Sequence, residues 1–468
     1  MSDDSTITSI LGVAWGGCVL LCLWFAVEIL RSRRQEQAVT AWLLLFILSP
    51  PVGVVAYLAL GARKLRRRAA RKAQPAERSA GAQADCVAVN GLDRLVQSHG
   101  LPAATAGNAV ALRTTPATAY AAVLDLIDRA EETLWVTTYI LGTDRVAQEI
   151  LRRLAARAAA GVQVRLLIDD VGSKDLRDAA LAPLVAAGGR VERFMPASLI
   201  PWPRHYANLR NHRKIIIADR RRAWSGGMNL AEEYLGTKPV ANRFRDLSFV
   251  IEGPAAAVYA EVFAADWLDA AGEDLRAARP WEALPAREAG SGVVQVVPSG
   301  PEFDGDPLHD LLLDMAHRAQ RRLWIVTPYF VPDAAMLKAL TVAARHGVEV
   351  TVVTNRSSDA GFVDFASIPY LRAVVGAGGK VLRLRNGLMH AKAVIVDDAL
   401  ALAGTANLDQ RSLFLNFEVM ALFHGPAETR AVADWAEVLF ADCDGELPPL
   451  TPVRHVAEGL VRLFAPVL

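Results

Sequence analysis

Two stretches of the sequence decide the fold: NHRKIIIADRRRAWSGGMN at residues 211–229 and MHAKAVIVDDALALAGTAN at residues 389–407. Both contain the pattern H-x-K-x(4)-D, followed at the same distance by G-x-x-N. One H-x-K-x(4)-D pattern is expected by chance in a chain of this size with a probability of about a few per cent, but two in register are not. The matched pairs, each displaced by 178 residues, are His212 with His390, Lys214 with Lys392, Asp219 with Asp397, Gly226 with Gly404 and Asn229 with Asn407.

The repeat extends upstream of these two stretches. A period near 180 residues is too long for a solenoid and indicates a duplicated domain. Each copy alternates amphipathic helical patterns with short β-branched runs, which predicts α/β units with a mainly parallel sheet. We therefore predict two pseudo-symmetric α/β domains, at residues 85–285 and 286–468. The further matched blocks are LWVTTYI (134–140) with LWIVTPYF (323–330), GVQVRLLID (161–169) with GVEVTVVTN (347–355), and AAGGRV (186–191) with GAGGKV (376–381).

The histidines and lysines of the two stretches indicate the chemistry. Side chains alternate along a strand, so His212 and Lys214 face the same way, as do His390 and Lys392. Two copies packed about a pseudo-two-fold axis would bring both pairs to one cleft that suits a phosphodiester. One imidazole could attack phosphorus while the other protonates the departing alkoxide. The groups expected to hold the non-bridging oxygens are Lys214, Lys392, Asn229 and Asn407.

A nucleophilic imidazole needs its second nitrogen bonded to an acceptor, which fixes the tautomer. The candidates are Asp246 and Glu418, each downstream of the histidine of its own copy. Asp219 and Asp397 are predicted as catalytic-site residues together with the histidines and lysines of the two motifs. They could also orient the imidazoles, but five strand residues away they are favoured for holding turns or backbone amides. No two-metal grouping, Walker loop or kinase motif is visible, so we expect neither a metal nor a cofactor.

The N-terminal region, residues 1–62, is predicted to be a membrane anchor. Residues 7–30 form an almost unbroken apolar run that is long enough to cross a bilayer core. A cleaved signal peptide is the alternative, but acidic residues precede the run and three arginines follow it. A second apolar run at residues 41–60 contains Ser49-Pro50-Pro51, which predicts either a kinked span or a re-entrant hairpin. The re-entrant form is favoured because it keeps Arg31, Arg33 and Arg34 on the same side as the basic cluster that follows.

Charge is distributed unevenly along the chain. Residues 31–80 hold eleven basic and two acidic side chains, whereas the chain from residue 81 onward has a net charge of −5. Lys and Arg resist translocation, so the basic juxtamembrane linker at residues 63–84 predicts that everything after it faces the cytoplasm. The same linker should attract anionic phospholipids. An acidic catalytic region argues against a nucleic-acid partner. The sequence does not tell whether the protein has protein partners.

The paired motifs resemble those of the phospholipase D superfamily, over nearly the whole chain. Narrower features, among them GGMNLAEEYLG, FRDLSFVIEGP, TPYFVPD, GTANLDQRSLFLNFEV and the closing RLFAPVL, are similar to the bacterial cardiolipin synthases. The resemblance implies two phospholipase D-like α/β sandwich domains with the active site at their interface. It also implies transfer of a phosphatidyl group between two phosphatidylglycerol molecules at the bacterial inner membrane, with His212 as nucleophile and His390 as general acid and base.

Two departures from the superfamily pattern bear on the site. Gly227 stands where a hydroxyl residue is frequent, so a hydroxyl ligand to phosphate is expected only from Thr405 of the second copy. The first copy also carries an insert at residues 195–210, MPASLIPWPRHYANLR, which is either a rim of the cleft at the membrane or an ordinary surface loop.

Three other functions use the same features. A phospholipase D-type hydrolase, or a phosphatidyltransferase with another alcohol acceptor, would need the same histidines. A nuclease of the superfamily is disfavoured by the apolar anchor and the acidic catalytic region. A non-catalytic membrane scaffold is disfavoured, because it would need neither of the two intact H-x-K-x(4)-D motifs.

Overall fold

The computed structural model describes residues 2–31, 36–60, 91–195, 209–241, 243–276, 289–303 and 305–461. The basic linker at residues 63–84, most of the insert at residues 195–210 and the closing RLFAPVL lie outside these ranges. The N-terminal helices form one compact unit, and the two repeats together form a second.

The N-terminal unit contains three apolar helices, α1 (Ser2–Leu30), α2 (Glu36–Leu48) and α3 (Pro50–Leu60). Within α1, Gly12–Leu30 has a mean hydropathy of 2.1 over 19 residues, which is long and apolar enough to cross a membrane. The second apolar run folds back on itself at Ser49, as shown by the Trp42 and Tyr57 rings, whose centroids lie only 5.2 Å apart. In one continuous helix, these residues would be about 22 Å apart.

The reversal makes the second apolar run a hairpin and not a kinked span. By the rise of an α-helix, α2 and α3 are about 20 and 17 Å long, short of the roughly 30 Å of a bilayer core. Gly53 lies where the two helices meet, and a Cβ there would come within 2.7 Å of the Phe46 ring. Glycine at this position therefore permits their close packing, and the hairpin has the shape that the re-entrant prediction requires.

The two repeats build the second unit from the following elements. The first copy contains α4 (Gly91–Ser98), β1 (Thr105–Arg113), α5 (Pro116–Asp128), β2 (Thr133–Thr138), α6 (Arg145–Ala159), β3 (Gln163–Asp169), α7 (Asp178–Ala186), β4 (Arg190–Phe194), β5 (Ile215–Ala218), β6 (Arg222–Gly226), β7 (Phe244–Arg245), β8 (Ser248–Glu252) and α8 (Pro254–Ala271). The second copy contains β9 (Gly292–Ser299), α9 (Pro307–Arg318), β10 (Arg322–Val326), β11 (Phe330–Val331), α10 (Ala334–Arg345), β12 (Glu349–Asn355), α11 (Gly361–Gly376), β13 (Lys380–Leu384), β14 (Leu388–Met389), β15 (Ala393–Val396), β16 (Leu400–Gly404), β17 (Leu408–Asp409), α12 (Gln410–Phe414), β18 (Glu418–Phe423), α13 (Pro426–Phe440), β19 (Cys443–Asp444) and α14 (Pro452–Val461).

One sheet of 15 strands runs through both copies, in the order β19-β13-β12-β10-β15-β16-β18-β9-β1-β8-β6-β5-β2-β3-β4. Read outward from the central antiparallel pair β1–β9, the two copies present equivalent strands in the same order, and the second copy adds β19 at its edge. This is the pseudo-two-fold arrangement that the repeat predicts. The two predicted domains are therefore halves of one continuous sheet.

The expectation of a mainly parallel sheet is wrong. Parallel pairing is confined to β2–β3–β4 and β10–β12–β13, and the other pairs of the large sheet are antiparallel. The reason is that β5–β6–β8 and β15–β16–β18 form antiparallel meanders. All residues of β5 (IIIA) and β15 (AVIV) are buried, as expected for strands covered on both faces.

Candidate active site

Each motif histidine lies just before a buried strand, where its backbone pairs with the other copy. The His212 N–H donates to the Phe417 carbonyl at 2.9 Å, and Asn211 forms a parallel bridge with Phe417. In the second copy, the His390 N–H donates to the Arg245 carbonyl at 2.8 Å, where β14 pairs with β7. The two copies are therefore joined by backbone hydrogen bonds at the histidines themselves.

The imidazole–carboxylate pairs cross between the copies. His212 Nδ1 lies 2.9 Å from Glu418 Oε1, and His390 Nδ1 lies 2.8 Å from Asp246 Oδ2. Both acids are buried. The sequence predicts the right two acids but attaches each to the histidine of its own copy. The crossing arises because the residues immediately before the acids, β7 before Asp246 and Phe417 before Glu418, pair with the histidine segments of the opposite copy.

The two lysines are buried beside the histidines. Lys214 Nζ donates to the His212 carbonyl at 2.8 Å, and Lys392 Nζ lies 2.8 Å from His390 Nδ1. Burial, together with the neighbouring lysine charges, lowers the pKa of His390 to about 4 and that of His212 well below its usual value. The charge of each lysine lowers the pKa of both histidines, so the four side chains lie close together in one cleft. Burial also lowers the pKa of Lys392 to about 8.

The two carboxylates have unequal surroundings. Glu418 accepts hydrogen bonds from the Thr405 hydroxyl at 2.5 Å and the Asn416 amide at 3.2 Å, and burial raises its pKa to about 7. The position equivalent to Thr405 in the first copy is Gly227, where a Cβ would lie 2.2 Å from Asp246 Oδ1. Asp246 therefore occupies the space that a side chain at position 227 would need.

Thr405 was expected to offer its hydroxyl to phosphate, and the structure gives that hydroxyl other partners. The residue is fully buried, its hydroxyl donates to Glu418, and the same oxygen accepts the Val419 N–H at 2.9 Å. A hydroxyl satisfied in this way is not available to a ligand. Thr405 contacts the carboxylate that holds His212 instead.

Comparison with known proteins follows the same division of the chain. A family model described as "Cardiolipin synthase, PLD-like domain" matches residues 123–267 and 312–441, and one described as "Phospholipase_D-nuclease N-terminal" matches residues 20–61. The cardiolipin synthase of Geobacillus kaustophilus is 31% identical over 462 residues, covering 95% of this chain and 92% of that protein. This chain belongs to the bacterial cardiolipin synthases of the phospholipase D superfamily.

Two further comparisons agree with membership of the cardiolipin synthase family. Cardiolipin synthase A of Yersinia pseudotuberculosis is 31% identical over 488 residues, with both chains covered completely. The crystal structure of a phosphatidylserine synthase from Haemophilus influenzae superposes with a TM-score of 0.61 at 17% identity, covering 81% of this chain and all of that one. At that identity, the likeness shows the fold alone.

The motif aspartates of this cardiolipin synthase family member lie away from the histidines. Asp219 and Asp397 follow β5 and β15 with positive φ angles of 54° and 51°. The Asp219 carboxylate accepts the N–H groups of residues 131, 132 and 133, and that of Asp397 accepts those of residues 320, 321 and 322. Each carboxylate therefore holds the turn that leads into β2 or β10. This is the turn-holding alternative, and the geometry gives neither aspartate a place in the chemistry.

The two asparagines differ in their hydrogen bonds. Asn229 Oδ1 accepts the Ile140 N–H at 3.2 Å, and the Asn229 side chain also hydrogen-bonds the Tyr234 phenol. The Asn407 side chain hydrogen-bonds Asp409, while its buried Oδ1 has no hydrogen-bond partner among the described residues. The two amides are thus not equivalent, although the motif places them at equivalent positions.

Sequence reasoning missed residues that are not repeated between the copies. The Tyr139 and Tyr234 rings stand edge-on to His212 and His390 at 5.0 and 5.1 Å. Fully buried Arg213 donates to the Glu418 carbonyl at 2.9 Å and forms an ion pair with Asp266 at 2.6 Å. Its equivalent in the second copy is alanine, so a search for repeated residues passes over it. The signal was available in the charge of Asp266 within the otherwise apolar FAADW segment.

Proposed function

We propose that the protein transfers a phosphatidyl group from one phosphatidylglycerol molecule to the terminal hydroxyl of another, giving cardiolipin and glycerol. The observation that carries this proposal is the pair of crossed histidine–carboxylate hydrogen bonds beside two buried lysines. Family membership supports a phosphatidyltransferase acting on phospholipids, and α1 supports membrane association.

In the first step, His212 attacks phosphorus through Nε2. Its Nδ1 is hydrogen-bonded to Glu418, which leaves the Nε2 lone pair available, and its lowered pKa keeps the ring neutral at physiological pH. A nitrogen–phosphorus bond forms, the phosphorus–oxygen bond to glycerol breaks, and His390 gives its proton to the departing oxygen. Binding of the phosphodiester anion raises the pKa of His390 from the value of about 4 that it has in the free site.

The second step reverses the first with a different alcohol. His390 takes the proton of the incoming hydroxyl, the oxygen of that hydroxyl attacks phosphorus, and the bond between phosphorus and His212 Nε2 breaks. Lys214 and Lys392 hold the non-bridging oxygens in both steps. Among the described residues, no group of three or more His, Cys, Asp or Glu side chains is placed to hold a metal ion.

The same proposal places the catalytic unit on the cytoplasmic face of the bacterial inner membrane. It rests on the basic residues at positions 63–72, because such clusters resist translocation. Their positive charge would also concentrate anionic phosphatidylglycerol close to the enzyme.

The decisive experiment is incubation of the purified full-length protein with phosphatidylglycerol as the sole lipid. We expect cardiolipin and free glycerol in equal amounts. Equal amounts of phosphatidic acid and glycerol, without cardiolipin, would instead establish a hydrolase. Addition of serine or ethanolamine in a parallel sample tests another acceptor. The His390→Ala variant, prepared in the same way, controls for a contaminating activity.

A further inference from the structure

The pseudo-two-fold symmetry of the cleft is broken by a reversal of charge. Four residues after the motif asparagine, the second copy has Arg411 and the first has Glu233. Arg411 lies near His212, and its charge contributes to lowering the pKa of that imidazole. Equivalent positions in the two copies therefore carry opposite charges.

The surroundings of His390 are rich in hydrogen-bond acceptors. The Tyr234 and Phe244 rings lie 5.1 and 5.4 Å from the imidazole, and the carbonyl of Glu233 accepts the Phe244 N–H at 2.9 Å. The Tyr329 hydroxyl donates to the exposed Asp359 carboxylate at 2.6 Å. Burial, with the charges of Asp246, Glu233 and Asp359, raises the pKa of the Tyr234 phenol. Negative charge thus gathers on the His390 side of the cleft.

A buried acceptor in the same region points to a ligand. Asn407 is 7% exposed, and its Oδ1 has no hydrogen-bond partner among the described residues. Thr327 connects the segment of Asn407 to that of Tyr329. Its hydroxyl accepts the Leu408 N–H at 3.1 Å and donates to the Tyr329 carbonyl at 2.9 Å. A buried carbonyl oxygen without a donor is costly, so a ligand that donates a hydrogen bond would stabilise it.

We propose that Asn407, Tyr329, Asp359 and Glu233 form a polyol subsite, which binds the glycerol hydroxyls of the departing and incoming alcohols beside His390. This proposal rests on the proposed function and names the group that the cleft recognises. A double displacement uses one alcohol subsite for both steps, because the same acid and base serves both. In the proposed reaction, both alcohols are glycerol headgroups, so one set of acceptors suits each of them.

The charge of this polyol subsite also explains orientation and selectivity. Carboxylate and carbonyl oxygens accept hydrogen bonds from vicinal hydroxyls but repel a phosphate. A phosphatidylglycerol acceptor would therefore enter with its terminal hydroxyl inward and its phosphate outward. Two hydroxyls that bind the subsite also give glycerol an advantage over a simple monohydric alcohol.

The test is a competition for the phosphatidyl intermediate. Full-length protein in mixed micelles receives cardiolipin as donor, with equal concentrations of labelled glycerol and 1-propanol. The measured quantity is the ratio of labelled phosphatidylglycerol to phosphatidylpropanol, because each turnover of cardiolipin also releases unlabelled phosphatidylglycerol as the leaving alcohol. Total turnover, which includes phosphatidic acid formed with water, is measured in the same samples. We expect wild type to favour glycerol, and Asp359→Asn, Glu233→Gln and Tyr329→Phe each to lower the ratio, by about tenfold for the carboxylate that bonds glycerol most directly. Asp125→Asn, on the outer face of α5 and ion-paired with Arg129, is the matched control and should leave the ratio unchanged.

The outcomes separate this inference from the proposed function. Formation of phosphatidic acid alone by wild type would reject the transferase itself. A transferase that uses glycerol and 1-propanol equally would reject the polyol subsite only. So would a glycerol preference that all three variants retain within twofold. Total turnover shows whether each variant is folded and active, and three independent substitutions ensure that misfolding of one leaves the test intact.

Discussion

The crossed histidine–carboxylate pairs allow a prediction that separates the two histidines. In Glu418→Gln, the amide oxygen can keep the hydrogen bond from the Thr405 hydroxyl, which donates to Oε2 at 2.5 Å. The amide nitrogen then replaces Oε1, which lies 2.9 Å from His212 Nδ1 and accepts from Asn416 at 3.2 Å, so Asn416 loses its acceptor. The new amide nitrogen is then directed at His212 Nδ1 and donates to it. The imidazole proton moves to Nε2, and the nucleophilic lone pair is lost. Such an acid-to-amide change costs about 10⁴-fold in kcat in the Ser-His-Asp triad, or roughly 5 kcal/mol.

Folding should suffer far less than catalysis. Burial already raises the pKa of Glu418 to about 7, so the native state gains little from its charge at neutral pH. We expect a thermal midpoint within a few degrees of wild type. Asp246→Asn, which perturbs His390 in the same way, should lower turnover of phosphatidylglycerol to a similar extent.

A substrate with a good leaving group then distinguishes the two variants. Departure of p-nitrophenolate from phosphatidyl-p-nitrophenol needs no proton, so the burst of p-nitrophenol should recover in Asp246→Asn and His390→Ala. It should remain absent in Glu418→Gln and His212→Ala, which lack the nucleophile. The reverse result, with recovery in Glu418→Gln and none in Asp246→Asn, would refute the crossed pairing or the assigned roles.

Three further predictions follow from the same geometry. His212→Ala and His390→Ala should each reduce cardiolipin formation by several orders of magnitude, and the double variant should be no worse than the poorer single one, because the two groups act as a unit; a single variant with a tenth of wild-type turnover would contradict this. The value of kcat/KM should fall as pH rises through about 8, since Lys392 loses there the charge that binds the phosphodiester; a profile that stays flat well above that pH would remove Lys392 from phosphate binding. Asp219→Ala should lower the free energy of unfolding by about 1–3 kcal/mol in a denaturant titration while the folded protein keeps its turnover, because three backbone N–H groups lose their acceptor; loss of turnover without loss of stability would return Asp219 to the chemistry.

The sequence predicted the features that repeat. Two copies of one pattern implied pseudo-two-fold symmetry, and strand periodicity placed each histidine and lysine on one face. The first prediction holds in the 15-stranded sheet, whereas the motif histidines and lysines lie just before β5 and β15 and not within them. The need of an imidazole for an acceptor also selected Asp246 and Glu418 from fifty acidic residues. The break at Ser49-Pro50-Pro51 indicated either a kink or a reversal of the second apolar run, and the structure has the reversal.

What the sequence did not predict depends on contacts between the copies. Nothing in chain order shows that the segment before β18 pairs with His212, because the pairing is made by backbone hydrogen bonds from Asn211 and His212 to Phe417. The parallel expectation failed for a related reason, since buried antiparallel strands such as IIIA and AVIV have the same continuous apolar pattern as parallel ones. Thr405 was predicted to bind phosphate from the superfamily pattern alone. Its hydrogen bond to Glu418, 13 residues away in the sequence, forms only in the folded protein.

Crossing makes each half of the enzyme depend on the other, and it also allows the halves to differ. If two identical chains formed the same cleft, both histidines would face the same acid, and one set of side chains would have to suit nucleophile and acid alike. In a fused duplication, each position can change alone. Here Gly227 leaves room for the shorter Asp246 against His390, while Thr405 and Asn416 hold the longer Glu418 against His212. A Cβ added at Gly227 would lie 2.2 Å from Asp246 Oδ1. A side chain at position 227 therefore requires a different residue or conformation at position 246, so the two positions must change together. The unequal carboxylates and the reversed charges at Glu233 and Arg411 thus fit the proposed division of labour, in which one side of a symmetric fold performs the attack and the other binds the alcohol.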